Sequence, residues 1–438
     1  MKDYKKLMPV VIVVMALLAC YSRINDGREL EKQYQTYLDE ARAYRQEKIY
    51  VDAKSSYQAA LEMHPTKEIY QEMGETLLEE GNHELIQAWG ESMIEQYPKE
   101  PEGYTYVIKH NIEIQDYKEC FEWFDIVQKR GIETEELNQI LASIEYKYEL
   151  SNEDYDMVYE FIGQYAVVER DGKYGLINQD GEQVLECKYL QLGYYNGEVI
   201  PIQDGNKEFY FVDKNGQRKR NVKSDIRITK LGFCYNGIYT AGTKQEVYFL
   251  DSDSHIVLGP YEDATSFNIE RAAVKENGKW YLIDFQGNRL SKPYLSFVED
   301  DAGMVFRNGV AFAQTDTGYV MLDQDGHQIG EQVYEDARCF SDESYTAVKL
   351  GGKWGYIDNQ GEVIIEPEYE NAKAFKVGYA AVFKDGRWGY INERGQMVIK
   401  PTFMQANLLN AKGITYVQDE EGEWNQLELL KADYGKGI

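Results

Sequence analysis

The 438-residue sequence has little of what most active sites are built from: five cysteines, five histidines and nine prolines. Five cysteines are too few for a disulfide framework in a chain of this length. The cysteines beyond residue 100 show no Cys-x-x-Cys spacing, so the sequence predicts no zinc site. No Ser/His/Asp or Cys/His set recurs, and there is no phosphate-binding glycine loop or His-x-x-His pair. We therefore expect no enzyme and no cofactor.

Positive charge is also scarce. The chain has 47 Lys and Arg against 75 Asp and Glu, a formal net charge of −28. A nucleic-acid partner requires a basic surface, so this balance argues against one. It also disfavours close approach of the bulk of the chain to an anionic membrane surface.

Only one apolar run is long enough to bear on targeting, and it spans Leu7 to Tyr21 after three lysines in the first six residues. Its length is below the roughly 20 residues of a typical membrane span. The basic flank places the N-terminus inside the cell. We interpret residues 1–23 as a signal-anchor, with the bulk outside the cytoplasm. The alternatives are a cleaved signal peptide, or a lipoprotein anchored at Cys20, since Leu17 to Cys20 resembles a lipobox.

The sequence is rich in one internal repeat. KWGYIDNQGEVIIEPEY, Lys353 to Tyr369, returns as RWGYINERGQMVIKPTF, Arg387 to Phe403. The short and nearly constant distance between such copies indicates an array of supersecondary units. Seven units share a slot that is nearly always glycine: Gly181, Gly216, Ser254, Gly287, Gly326, Gly361 and Gly395.

Two further slots recur. Three residues before the glycine, the slot is always Asp or Asn: Asn178, Asp213, Asp251, Asp284, Asp323, Asp358 and Asn392. We interpret it as a turn-former, because a calcium loop supplies several oxygens and each unit has one here. Another slot is usually aromatic: Tyr174, Phe209, Val247, Trp280, Tyr319, Trp354 and Trp388. It is either the large core residue that packs one unit on the next or a ligand-stacking platform, and we favour core packing.

The units read as short antiparallel strands, because runs rich in Val, Ile, Tyr and Trp are bounded by Gly and Asp. Incomplete copies at both ends would expose edge strands unless they pair. We therefore predict a β-propeller of seven or eight blades over residues 151–438, with an open β-solenoid as the alternative.

The best copies resemble the WG-repeat family, whose pattern is similar to G-K-W-G-Y-I-D-x-x-G-x-x-x-I-x-P-x-Y. Its Trp-Gly pair stands at Trp354-Gly355 and Trp388-Gly389, and Tyr174-Gly175 is a variant. Tyr210 and Tyr281 replace this glycine in the middle units. The resemblance covers roughly residues 155–430 and implies an all-β repeat module used for binding.

In residues 24–150 the spacing of the apolar residues is helical instead. Small and aromatic residues at regular helical spacing resemble a tetratricopeptide array: Tyr37, Ala41, Tyr44, Ala53, Tyr57, Ala60 and Pro65. This predicts about three helix pairs followed by a terminal helix over Glu135–Leu150. An ordinary amphipathic bundle is the alternative. The predicted domains are thus residues 1–23, 24–150 and 151–438.

Taken together, these features predict a membrane-tethered, single-pass, extracytoplasmic interaction protein at the bacterial cell surface. Its partners would be the membrane, through the N-terminal segment, and a protein or cell-envelope component. The rival hypothesis is a glycan hydrolase or glycan-binding protein of the cell envelope, with its site on the repeat face. The abundance of aromatic residues supports it, but core packing explains that abundance equally well. A third hypothesis is a structural spacer.

Overall fold

The computed structural model describes residues 28–341, 343 and 345–430, apart from the side chain of His83. These residues divide into two compact units. One comprises the helices up to Lys147 together with Leu430, and the other is Tyr148–Leu429. The predicted boundary between residues 150 and 151 lies inside the first strand of the second unit.

The helical unit has seven helices within the described residues. They are α1 over residues 28–46, α2 (Tyr50–Met63), α3 (Lys67–Glu80), α4 (His83–Gln96), α5 (Pro101–Glu113), α6 (Tyr117–Lys129) and α7 (Glu135–Ile144). Side chains cap four of them: Thr66, Asn82, Asp116 and Thr134 each accept a bond from the backbone N–H three residues on, which satisfies a donor that the helix leaves free.

The spacing of these helices is that of a tetratricopeptide-like array. The interval from Lys67 to Pro101, where equivalent helices begin, equals the interval from His83 to Tyr117. Of the small and aromatic residues predicted to lie where helices touch, Tyr37 and Tyr44 are half-buried, and four have no exposed surface: Ala41, Ala53, Tyr57 and Ala60. The helical segment thus agrees with the predicted repeat.

The predicted terminal helix ends earlier than expected. α7 stops at Ile144, and Tyr148–Asn152 is a β-strand, β1. The prediction of a helix over Glu135–Leu150 is therefore wrong beyond Ile144. The cause is tertiary, because pairing with a distant strand outweighs local helical preference.

The second unit is a β-propeller of eight sheets. Blade 1 contains β2 (Met157–Val158), β3 (Tyr165–Arg170), β4 (Lys173–Asn178) and β5 (Gln183–Tyr189). Blade 2 contains β6 (Gln191–Leu192), β7 (Ile200–Gln203), β8 (Phe209–Val212) and β9 (Arg218–Asn221). Blade 3 contains β10 (Lys230–Tyr235), β11 (Ile238–Gly242), β12 (Val247–Leu250) and β13 (Ile256–Tyr261). Blade 4 contains β14 (Asp263–Ala264), β15 (Arg271–Glu276) and β16 (Lys279–Asp284).

The other four blades follow the same antiparallel order. Blade 5 contains β17 (Ser296–Phe297), β18 (Ala311–Thr315), β19 (Gly318–Leu322) and β20 (Gln328–Tyr334). Blade 6 contains β21 (Asp336–Ala337), β22 (Tyr345–Leu350), β23 (Lys353–Asp358) and β24 (Val363–Tyr369). Blade 7 contains β25 (Asn371–Ala372), β26 (Tyr379–Lys384), β27 (Arg387–Asn392) and β28 (Met397–Phe403). Blade 8 contains β29 (Gln405–Ala406), β30 (Ile414–Gln418) and β31 (Trp424–Leu429), and β1 completes it.

The ring closes in blade 8, where β1 pairs antiparallel with β31 from Tyr148↔Leu429 to Asn152↔Asn425. The closing strand thus comes from the N-terminal end of the module, as the predicted pairing of the two incomplete ends requires. Pairing the two ends of the module removes an exposed edge strand.

The repeated turns and strands have simple local causes. Asp171-Gly172 and Asp385-Gly386 have positive φ at both residues, the geometry of a two-residue hairpin that matches the twist of its strands. The strand before each hairpin is buried over three consecutive residues, as in Ala380–Val382, because each sheet is covered on both faces. The core therefore lies between blades: Tyr356 of blade 6 packs with Phe375 of blade 7.

No helix within the described residues combines the length and apolarity that a membrane crossing requires. The predicted anchor, residues 1–23, and the lipidation candidate Cys20 lie outside the described residues.

Candidate functional site

The Asp/Asn slot forms turns. In the best-matching unit, Asp358 Oδ1 accepts hydrogen bonds from the N–H groups of Gln360 and Glu362, both at 2.9 Å. The same two bonds recur at every other position of the slot: Asn178, Asp213, Asp251, Asp284, Asp323 and Asn392. The N–H of His255 lowers the pKa of Asp251 in this way. No group of three or more potential metal ligands occurs in the described part of the chain.

The glycine slot closes the same turn. Gly361 has φ +87°, and a Cβ there would lie 3.3 Å from the Tyr334 hydroxyl of the preceding blade. The other glycines of the slot also have positive φ, including Gly181, Gly287 and Gly395. Ser254 adopts φ +69° in their place, and its hydroxyl accepts a bond from the Lys223 N–H. Ser254 thus holds a backbone conformation that glycine adopts more readily, and its side chain bonds to a residue outside the turn.

The glycine of the Trp-Gly pair is required by the neighbouring strand. A Cβ at Gly355 would lie 2.6 Å from the Ile365 carbonyl oxygen, and Gly175 and Gly389 are similarly close to their outer strands. Blade 4 carries Tyr281 instead, and there the outer strand is reduced to isolated bridges such as Trp280↔Tyr294. The Arg289 guanidinium covers the Tyr281 ring at 4.0 Å. Blade 2, in which Tyr210 replaces the glycine, keeps an outer strand of 4 residues, against 7 in blades 1, 6 and 7. Both departures from the repeat pattern thus coincide with a shortened outer strand.

Some residues of the aromatic slot lie in the core, and others border a cavity. Trp354 is 3% exposed and lies beneath the Arg338 guanidinium, 4.4 Å from the ring centre. Tyr174, Trp280 and Trp388 are half-buried. Of these, Tyr174 and Trp388 border two separate cavities at the centre of the propeller.

Those cavities exist because blade 5 carries an insertion. Val298 of blade 5 and Thr265 of blade 4 occupy equivalent positions, because the backbone N–H of each donates to a carbonyl of the second strand of its own blade. The Phe306 carbonyl of blade 5 accepts the Asn268 side-chain N–H, as the Cys234 carbonyl accepts that of Asn196. The two equivalent positions are therefore eight residues apart in blade 5, at Val298 and Phe306. In blade 4 they are two residues apart, at Thr265 and Phe267. We call the inserted stretch Glu299–Met304 the plug.

The plug is a tight turn that crosses the central channel. Asp300 Oδ1 accepts the N–H groups of Ala302 and Met304, both at 3.0 Å. The Asp301 carboxylate accepts the N–H of Glu160 in blade 1 at 3.2 Å, four blades away. Met304 is 2% exposed and packs in a cluster with residues of blades 1 and 2.

The plug leaves cavities of about 870 and 370 Å³. The larger, cavity A, is lined by blades 1 to 4 and by the plug. Its walls include Gly193 and Gly232 of blades 2 and 3. In blades 1, 6 and 7 the equivalent position carries a large side chain, Tyr159, Arg338 or Lys373. Cavity A therefore lies where two successive blades have no side chain at this position.

The smaller cavity, cavity B, has most of the basic groups. Four basic side chains line it: Arg307, Arg338, Lys373 and Lys376. Arg307 pairs with Asp300 at 2.5 Å, Lys373 with Glu160 at 2.5 Å, and Lys376 donates to the Phe161 carbonyl at 2.7 Å. The charges of cavity B are thus largely used within the chain: two join blade 7 to blade 1, and one pair lies inside blade 5.

Cavity A is acidic by contrast. Asp263, Glu299, Asp300 and Asp301 line it, against Lys230. Burial among surrounding groups, then the charge of Asp263, raises the pKa of Glu299. Burial, then Glu160, raises the pKa of Asp301. Both carboxyls face channel solvent, so these are moderate effects in a partly wet site.

The sequence interpretation missed the plug and both cavities. Two signals pointed to them. The longest gap in the glycine slot, between Gly287 and Gly326, contains the insertion. Leu192-Gly193 and Leu231-Gly232, each followed by an aromatic residue, mark the two blades that open cavity A.

Comparison with known proteins supports the repeat assignment. The family model described as WG containing repeat matches residues 174–207, 259–280, 322–354, 354–388 and 388–424. No curated protein matches the chain significantly.

Among solved structures, Kluyveromyces lactis Hsv2p is 11% identical, covering 66% of this chain and 99% of its own, with a TM-score of 0.37. A eukaryotic initiation factor is 9% identical, covering 65% and 86%, with a TM-score of 0.39. The β-propeller domain of Cps50 from Myceliophteria thermophila is 12% identical, covering 56% and 98%, with a TM-score of 0.31. The chain thus carries the WG containing repeat five times in its C-terminal region, and these repeats lie in an eight-bladed β-propeller.

Proposed function

We propose that this protein is a non-catalytic binding protein whose propeller receives its ligand in cavity A. The observation that carries the proposal is the plugged channel, which leaves about 870 Å³ open to solvent on one side of Asp300 and Asp301. Ligand pockets usually measure about 300–1,000 Å³. Three of the four blades in its wall, blades 2 to 4, are those that depart most from the repeat pattern, and such departures are expected at functional positions.

Hydrogen–deuterium exchange of the full chain tests this proposal. The probe is cell-envelope extract, separated into small-molecule and polymer fractions. We expect at least one fraction to slow exchange at residues 229–233 and 299–303 and to be recovered chemically unchanged. Protection confined to the helical unit, no protection by any fraction, or conversion of the fraction to a product would each contradict the proposal. Conversion would favour the glycan hydrolase hypothesis.

We also propose that the chain is tethered to the cell membrane, with the repeats on the outer side. Support comes from the apolar run between Leu7 and Tyr21 behind three lysines, since basic flanks stay in the cytoplasm. Protease added to intact cells should then degrade the repeats. Repeats that stay protected until lysis would contradict the topology, and a diacylated Cys20 found by mass spectrometry would establish lipid anchoring.

A further inference from the structure

We propose that cavity A binds an organic cation, an ammonium or guanidinium group carried on an apolar stem. The inference rests on the proposed function, because it names the ligand class of the same cavity. It follows from the walls of the cavity, from its unpaired carboxylates and from the contrast with cavity B.

The walls of cavity A suit an apolar stem. Rings from three blades line it: Tyr159 and Tyr174 of blade 1, Phe209 of blade 2 and Phe233 of blade 3. Pro201 and Ile202 add aliphatic surface. Such surfaces gain free energy by covering an apolar group. Aromatic faces also attract cations within about 6 Å of the ring centre.

The carboxylates of cavity A lack the partners that acidic groups usually have. Glu299 makes no hydrogen bond or ion pair with the described residues. Asp301 accepts bonds only from the Glu160 N–H and, at 3.5 Å, the Tyr194 hydroxyl within the described residues. Asp263 accepts the N–H of Ala264. Lys230 is the single basic side chain that the described residues contribute to the lining.

The carboxylates of the plug differ in whether they form an ion pair. Its third carboxylate, Asp300, is neutralised by Arg307 on the side of cavity B. Glu160 is paired there with Lys373. Asp300 and Glu160 are thus in ion pairs, whereas Glu299 and Asp301 line cavity A without an ion pair among the described residues, under the weaker influence of Lys230 and Lys373 respectively. A bound cation would supply the missing partner, and its attraction would lower the raised pKa of both carboxyls.

Isothermal titration calorimetry of the full chain tests the proposal with three matched probes: 2-phenylethylamine, neutral 2-phenylethanol and anionic 3-phenylpropionate. We expect the amine to bind at least about tenfold more tightly than the alcohol, a difference of about 1.4 kcal/mol. Glu299→Gln should weaken the amine about tenfold and leave the alcohol unchanged. Glu331→Gln, which removes an exposed charge from the outer strand of the same blade, should change neither.

A fourth probe, the peptide acetyl-Phe-Lys-Phe-amide, distinguishes the source of the cation. Tighter binding of the peptide than of the amine would indicate a basic side chain of a protein, and the reverse a free amine. Equal binding of amine and alcohol, preference for the anion, or an unchanged amine affinity in Glu299→Gln would each overturn the proposal. So would no binding of any probe. Site protection by an envelope fraction in the exchange experiment would then leave the binding function standing with a different ligand.

Discussion

The Asp301 carboxylate of blade 5 accepts a hydrogen bond from the backbone N–H of Glu160 in blade 1, across the centre of the propeller. An eight-bladed ring has a wide central channel, and this contact spans it. The plug thereby divides the channel into cavity A, in which carboxylates outnumber the one basic group, and cavity B, in which acidic and basic groups are largely paired. The first prediction concerns the packing that holds the plug in place.

Met304→Ala should lower the free energy of unfolding by about 2–5 kcal/mol, because the side chain is 2% exposed and its loss leaves a cavity. It should also speed hydrogen exchange at the Glu160 N–H. Urea unfolding and exchange mass spectrometry measure the two effects. Met397→Ala is the control, since that side chain is 36% exposed. An equal loss of unfolding free energy in both variants would show that the plug is not packed against the blades.

Trp354→Ala should cost about 3–5 kcal/mol, because a buried ring is removed and the stacked Arg338 loses its partner. Trp388→Ala should cost less, because Trp388 is half-buried and borders cavity B. Thermal and urea unfolding compare both with the parent chain. Unfolding unchanged in both would restore the interpretation of the aromatic slot as a ligand platform.

Asp358→Ala should cost about 1 kcal/mol, as the loss of a capping side chain does. Asp358→Asn should stay within about 0.5 kcal/mol, since Asn178 and Asn392 make the same pair of bonds in their own units. Melting should not depend on added calcium in any of these proteins. A calcium-dependent melting temperature that Asp358→Ala abolishes would establish a metal site instead.

Glu299→Gln should stabilise the protein at about pH 8 and not at about pH 3. The raised pKa of Glu299 means that the folded chain holds the proton more tightly than the unfolded chain. Stability contributed by the protonated carboxyl is therefore lost as pH rises from the ordinary value through the raised one. Channel solvent limits the gain to less than about 1 kcal/mol. Urea unfolding at both pH values measures it, and a loss of stability at pH 8 would contradict the expected sign.

Deleting residues 414–438 should unfold the whole propeller rather than one blade, because it removes β30 and β31 and leaves β1 without its partner. Hydrogen–deuterium exchange of β15 and β16 in blade 4, on the opposite side of the ring, reports on this. Protection of those strands that survives the deletion would show that the units are stable independently, as in an open solenoid.

The sequence alone determined the repeat, its turns and the class of fold. A nearly constant period, with Asp or Asn always at the same distance before Gly, identifies the hairpins, because side-chain bonds and positive φ are local requirements. Trp354 could be assigned to the core for a similar reason, since a repeat unit needs a bulky residue against its neighbour. The tetratricopeptide-like spacing of the helices could also be predicted from the sequence, from small residues such as Ala53 and Ala60.

The number of blades, the closing strand and the candidate site were decided by the tertiary structure. β1 forms only because β31, at the opposite end of the module, offers an edge, and nothing local to Tyr148–Asn152 distinguishes it from the end of a helix. The plug appears in the sequence as a long gap. Its contacts with Glu160 and Tyr194 exist only when blades 1 and 2 face blade 5 across the ring. The acidity of cavity A comes mainly from consecutive residues of the plug, Glu299 to Asp301, but these residues face the walls of blades 1 to 3 only after the ring has closed.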